Sequence, residues 1–148
     1  LAVAEGASGA NLAKRITEVP GSAQVFELGV ITNTAHARAV LAGVEPKVME
    51  TYGVYSEETA CAMAQGIRHL SGADIGVAIT ARTGLESDSA GRELGLAYIA
   101  VDSDAYQHVT KVDLAGNRSA QSEFVRYVSS SSALWNGLKA AWKSEGTR

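Results

Sequence analysis

The first ten residues, Leu1-Ala2-Val3-Ala4-Glu5-Gly6-Ala7-Ser8-Gly9-Ala10, decide how the rest of the chain is read. The apolar start Leu1–Ala4 suits a buried strand, and the small residues after it suit a tight turn. Leu12, Ile16 and Val19 then share one helical face over Asn11–Val19, and Pro20-Gly21 ends that helix. A strand running through a small-residue turn into a helix sets the N–H groups of the first helical turn beside the strand end. The helix dipole favours an anion there. Ser8 is the only hydroxyl in the turn and Glu5 its only charge, so the turn is shaped for a ligand and sparsely equipped to attack one.

Working outward, Val25–Thr32 is apolar and β-branched and predicts a second strand. Thr34 is placed to cap a short helix, Ala35–Ala42, that stops at Gly43, and Pro46 and Gly53 bracket another, Lys47–Tyr52. Ser56 followed by Glu57 and Glu58 opens a longer helix, with Ala60, Met63, Ala64, Ile67 and Leu70 on one face as far as Gly72. Asp74–Thr80 reads as a fully buried strand and Ala81–Glu93 as a polar loop suited to binding. Leu94–Val101 and Tyr106–Leu114 read as strands joined at Asp102-Ser103-Asp104. Ser119–Lys143 reads as a last helix whose stripe from Phe124 through Val128, Trp135 and Leu138 to Trp142 is core or subunit contact. The expectation is a single α/β domain over 1–148, with three layers, α/β/α, around a mixed β-sheet.

Of the 148 residues 46% are hydrophobic and 20% charged, ordinary for a globular domain, and the net charge of −3 argues against nucleic acid or an acidic membrane held by bulk electrostatics. No apolar run approaches the roughly 20 residues a membrane helix needs. Cys61 is the single cysteine and is read as an inert packed thiol, which excludes an internal disulfide and makes the cytoplasm the expected compartment. His36, His69 and His108 are scattered without a second ligand at metal spacing, so neither metal nor cofactor is expected.

Four segments stand out for chemistry: the turn after the first strand, Gly29–Arg38, the loop after Thr80, and Gly116-Asn117-Arg118. The first three each follow an expected strand, and in an open α/β sheet such loops converge on one crevice. Their order and flanks resemble those of a known family. Ala4-Glu5 with its small-residue turn matches A-E-S-C-T-G-G. Thr17–Phe26 (TEVPGSAQVF) matches T-x-V-P-G-S-S-x-x-F, and Gly29–Val44 (GVITNTAHARAVLAGV) lies over G-V-V-x-Y-S-N-x-x-K-x-x-L-L-G-V. Tyr52-Gly53-Val54-Tyr55-Ser56 matches H-G-A-V-S, and Ala73–Thr80 matches A-D-I-G-x-A-V-T. Leu94–Ala100 matches V-G-T-V-Y-I-A, and Gly116-Asn117-Arg118 matches G-D-R. The chain is thereby similar, over essentially its whole length, to the CinA C-terminal domain, the family of nicotinamide mononucleotide deamidases.

That resemblance implies amide hydrolysis by a hydroxyl nucleophile activated by a lysine, on a nucleotide-like small molecule. Here the serine position falls on Gly6, the tyrosine on Asn33 and the lysine on Arg38, and arginine stays charged and cannot serve as the base. Of the glycine loop after the third strand, only Gly84 is kept; Arg82, Glu86 and Asp88 stand among its replacements. Positions equivalent to the family's pocket residues are held by Glu5, Ser8, Gly9, Thr80 and Arg118, and Arg38 with Arg118 is a candidate pair for a phosphate. Bland roles stand beside each of these. Gly6 suits a positive φ, Ser8 a helix N-cap, Arg38 a solvated helix face and Thr80 a structural hydroxyl bond. The expected function is a catalytically impaired relative that keeps a nucleotide or phosphate pocket and forms a homo-oligomer. The alternative is an active amidase using Ser8 as nucleophile.

Overall fold

Alternation along five short strands sets the architecture. The computed structural model describes residues 1–82 and 96–113. In chain order these form β1 (Ala2–Glu5), α1 (Asn11–Thr17), a 3₁₀ turn (Ser22–Gln24), β2 (Leu28–Ile31) and α2 (Ala35–Ala42). There follow α3 (Pro46–Tyr52), α4 (Glu57–Ser71), β3 (Gly76–Ala81), β4 (Leu96–Asp102) and β5 (Gln107–Asp113). The strands lie in one sheet in the order β2-β1-β3-β4-β5. β1 is parallel to β2 and to β3, because helical crossovers return the chain to the same end of the sheet. β3–β4 and β4–β5 are antiparallel, so the sheet is mixed, as expected.

The period of two divides the core. Ala2, Ala4, Ala78 and Ala100 face α2, α3 and α4, and pack with Ala42, Met49, Ala60, Met63, Ala64 and Ile67. Val3, Val77, Ile79, Ile99 and Val101 face the other way, onto Leu12 and Ile16 of α1. Helices therefore cover both faces, giving the α/β/α layering. The face under α4 is built from small residues because α4 lies very close to it. A Cβ added at Gly76 would fall 2.1 Å from the Ala64 carbonyl oxygen, and one at Gly66 1.7 Å from that of Ala42.

Local signals were sound where one residue carries them. The Thr34 hydroxyl accepts from Ala37 N–H at 3.0 Å and that of Ser56 from Thr59 N–H at 3.1 Å, as their placement predicts. The Asp102–Asp104 turn joins two antiparallel strands and is tied down by Arg68, whose Nη1 donates to Asp102 at 2.9 Å and whose Nη2 donates to Asp104.

Elsewhere expectation and structure differ. α1 ends at Thr17, and Val19 is 59% exposed rather than buried. Pro20 disfavours helical backbone at the residue before it, and the Thr17 hydroxyl donates to the carbonyls of Ala13 and Lys14, closing the last turn. The second strand starts at Leu28 rather than Val25: the 3₁₀ turn occupies Ser22–Gln24, and the N–H groups of Val25 and Phe26 both donate to the Ser22 carbonyl. Leu70 is 62% exposed in the last turn of α4, where Ile67 is the last residue of that face to be buried. The helix expected over Ser119–Lys143 lies outside the described residues.

Candidate functional site

Register brings three strand ends together. Glu5 lies opposite Ile31 on one side and Ile79 on the other, so Gly6, just past β1, sits between Thr32, just past β2, and the last residues of β3. Gly6 N–H donates to the Ile79 carbonyl at 2.8 Å, and Thr32 N–H to the Glu5 carbonyl at 2.7 Å. These are the carboxyl ends of parallel strands, where open α/β sheets form their ligand crevice.

Glu5 is fully buried on the α1 side of the sheet, and its carboxylate is already engaged. Leu12 N–H donates to Oε2 at 3.0 Å, Ala13 N–H to Oε1 at 2.8 Å and the Ser8 hydroxyl to Oε2 at 2.6 Å. This corrects two expectations. Ser8 does not cap α1, because Glu5 supplies the oxygens from the strand; nor do the first N–H groups of α1 await a ligand, because they already hold an anion of the protein's own. Ser8 is 3% exposed and donates its hydroxyl proton to a carboxylate that two backbone amides already hold. The turn closes through Gly9 at φ 61° and Ala10 at φ 70°, the one non-glycine residue in left-handed backbone among those described.

Strand alternation points Gly6 to the opposite face, where α2 carries Arg38. Gly6 is absent from the residues with positive φ, so the expected conformational reason for a glycine does not hold; space is the reason. A Cβ at Gly6 would lie 3.2 Å from Arg38 Nη2, 3.2 Å from the Ile79 carbonyl oxygen and 3.8 Å from that of Thr32. Arg38 is 1% exposed, so it does not lie on a solvated face, and Nε and Nη1 have no hydrogen-bond acceptor. Burial pulls its guanidinium below the ordinary value, with Tyr55 acting in the opposite sense. The Tyr55 ring lies between two cations, with Arg38 Cζ 5.2 Å and Arg82 Cζ 5.8 Å from its centroid.

Thr80 donates to the Val54 carbonyl at 3.1 Å, which is the structural role. That bond fixes the segment carrying Tyr55. Asn33 is exposed just beyond Thr32, and Gly9 is exposed in the turn. Gly84 and Arg118, and with Arg118 the expected pairing to Arg38, lie outside the described residues. Sequence reasoning missed Tyr55 and Thr32. Tyr55 had a signal: it is an aromatic residue where H-G-A-V-S has an aliphatic one. Thr32 had none, since only the register of β1 with β2 brings it to Gly6.

A family model described as the CinA C-terminal domain matches residues 1–134. A protein of Moorella thermoacetica that carries the name of a competence-damage inducible protein is 38% identical over 143 residues, covering 95% of this chain and 34% of the relative. A CinA-like protein of Geobacter sulfurreducens is 36% identical over 134 residues, covering 90% of this chain and 32% of its own length. The chain thus spans about a third of the curated relatives it matches. Among solved structures, the competence/damage inducible protein CihA of Agrobacterium tumefaciens superposes with a TM-score of 0.83 at 27% identity, covering 95% of this chain and 84% of that one.

Proposed function

The chain belongs to the CinA C-terminal domain family, and from that premise we propose that it is a member which binds a nucleotide-like small molecule without hydrolysing it. The single observation that supports the loss of hydrolysis is the meeting of Gly6 and Arg38. Where the resemblance calls for a hydroxyl and an amine base, a glycine without a side chain faces a guanidinium 3.2 Å from the missing Cβ. A guanidinium keeps its proton at any working pH and cannot deprotonate a nucleophile. The same reading takes residues 1–148 as one domain acting in the cytoplasm and assembling with copies of itself. Among the described residues no helix is long and apolar enough to cross a membrane.

A second reading is favoured by one observation, the 2.6 Å hydrogen bond from Ser8 to Glu5, a hydroxyl paired with a carboxylate. Against it, that carboxylate already accepts two backbone N–H groups, and the Ser8 hydroxyl is enclosed beside it at 3% exposure. Ammonia release from nicotinamide mononucleotide, measured for purified protein beside Ser8→Ala, separates the two. No release above buffer is expected from either protein. Turnover that Ser8→Ala abolishes establishes the second reading, and turnover that survives Ser8→Ala overturns both.

A further inference from the structure

We propose that Arg38 is a buried receptor for a ligand oxyanion, a carboxylate or a phosphate, seated at the carboxyl ends of β1, β2 and β3. The proposal deepens the binding reading above, shares its site, and stands apart from whether hydrolysis occurs. Arg38 is 1% exposed, and its Nε and Nη1 lack any hydrogen-bond acceptor. A guanidinium brings five N–H donors, and Nε and Nη1 each form one prong of a two-pronged fork with Nη2. Three N–H donors are thus buried without an acceptor on a group that carries a full charge. A buried cation without a counter-ion is among the costlier arrangements a fold can hold.

Among the described residues no carboxylate is paired with Arg38. The nearest carboxylate in the turn, Glu5, points to the other face of the sheet and is taken by Ser8, Leu12 and Ala13. Beside Gly6 the neighbours are carbonyl dipoles, those of Ile79 and Thr32. Arg38 Cζ lies over the Tyr55 ring, 5.2 Å from its centroid, and Tyr55 favours the charged guanidinium both through that ring and through its hydroxyl, against the larger effect of burial. Arg68 shows how the same fold treats an arginine that is structural: its Nη1 and Nη2 are matched to Asp102 and Asp104, and Nε alone lacks an acceptor. Arg38 has no such carboxylate partner among the described residues and leaves both Nε and Nη1 without an acceptor. An oxyanion supplies what is missing, and a planar fork is the arrangement that best recognises carboxylate or phosphate.

The test is thermal unfolding of the intact protein with four additives: sodium phosphate, sodium nicotinate, nicotinamide as its neutral isostere, and sodium chloride at matched ionic strength. Phosphate or nicotinate at about a hundredfold over its Kd is expected to raise Tm by about 5–10 °C, and nicotinamide and chloride to leave it unchanged. A response to phosphate alone identifies a phosphate-bearing ligand, one to nicotinate alone a carboxylate, and a response to both the shared oxyanion chemistry. Arg38→Met is expected to abolish the response and to raise Tm without additive, because an unpaired charge leaves the core. Arg38→Lys, which keeps the charge and loses the fork, is expected to weaken binding by about tenfold to a hundredfold. Absence of any anion response in the wild-type protein overturns the proposal, as does a full response persisting in either variant. A fall in Tm for Arg38→Met with no anion response assigns Arg38 a structural role and overturns it equally. Ammonia release bears on hydrolysis and these melts on Arg38, so either reading can fail alone.

Discussion

Replacing Gly6 by alanine tests whether that glycine exists to make room for Arg38. The added Cβ meets Arg38 Nη2 and the Ile79 carbonyl oxygen, each at 3.2 Å, inside the usual range of about 3.5–4.0 Å for carbon contacts. Forcing one extra methyl into packed surroundings costs about 1–3 kcal/mol. The backbone at Gly6 is not left-handed, so alanine there regains about 0.4–1 kcal/mol by restricting the unfolded chain. The expected net loss is about 1–2 kcal/mol, or about 2–8 °C in Tm. The two contacts do not yield alike. The Ile79 carbonyl belongs to β3 and accepts the Gly6 N–H at 2.8 Å, so it cannot recede, whereas a side chain can be shortened. In an Arg38→Lys background Nη2 is gone, and the cost of Gly6→Ala is expected to fall by about 1 kcal/mol, beyond the roughly 0.3–0.5 kcal/mol within which independent sites add. Urea unfolding of the four proteins of this cycle, followed by far-ultraviolet circular dichroism, reads the coupling. Additive effects, or a Gly6→Ala protein as stable as the parent, refute the reasoning.

Glu5→Gln leaves one oxygen to serve three donors and exchanges charged hydrogen bonds for neutral ones; a loss of about 1.5–3 kcal/mol is expected in urea melts, with Ser8→Ala losing about 1 kcal/mol. Ala10→Gly is expected to stabilise by about 0.5–1 kcal/mol, since alanine in left-handed backbone is strained by about 1–2 kcal/mol and glycine returns part of that as unfolded-state freedom. Gly66→Ala is expected to cost about 3 kcal/mol or more and to lower soluble yield, because its Cβ would sit 1.7 Å from the Ala42 carbonyl oxygen and drive α2 from α4. Burial first, then the charges of Glu57, Glu58 and Asp102, push the Cys61 thiol up. The folded state therefore keeps that proton longer than the unfolded one, so stability present below about pH 8.5 falls as pH rises beyond it. A Cys61→Ser protein is expected to lose that slope, and slow reaction with a thiol reagent at neutral pH checks the same cause.

Much of the fold was written in local patterns. The hydroxyls of Thr34 and Ser56, the glycines after α2 and α4 and the apolar period of α4 act over three or four residues, so sequence alone predicts those helices. The failures came where the apolar pattern runs past the packing. Val25 and Phe26 stay out of the expected strand because the Ser22 carbonyl holds their N–H groups, and Leu70 continues the apolar period of α4 beyond Ile67, the last residue of that face to be buried. At the candidate site, the convergence of Gly6 with Arg38 follows from strand alternation and was legible as two suspicious positions. What each position does was not. Glu5 looked like a charge offered to a ligand, yet it serves a helix beginning six residues later. Arg38 looked like a surface residue or a phosphate partner, and only packing against Gly6 and Tyr55 reveals it as an enclosed cation.

The close fit of Gly6 to Arg38 also gives the site a history with a direction. A Cβ at position 6 meets Arg38 Nη2 and the Ile79 carbonyl oxygen at 3.2 Å each, and only the first contact is relieved by a shorter side chain at position 38. Changing position 38 before position 6 is therefore the less costly order, and that first step brings no nucleophile with it. The reverse order passes through a weakened fold. While arginine fills that space, packing by itself resists the return of a side chain at position 6, whether or not a ligand is held there.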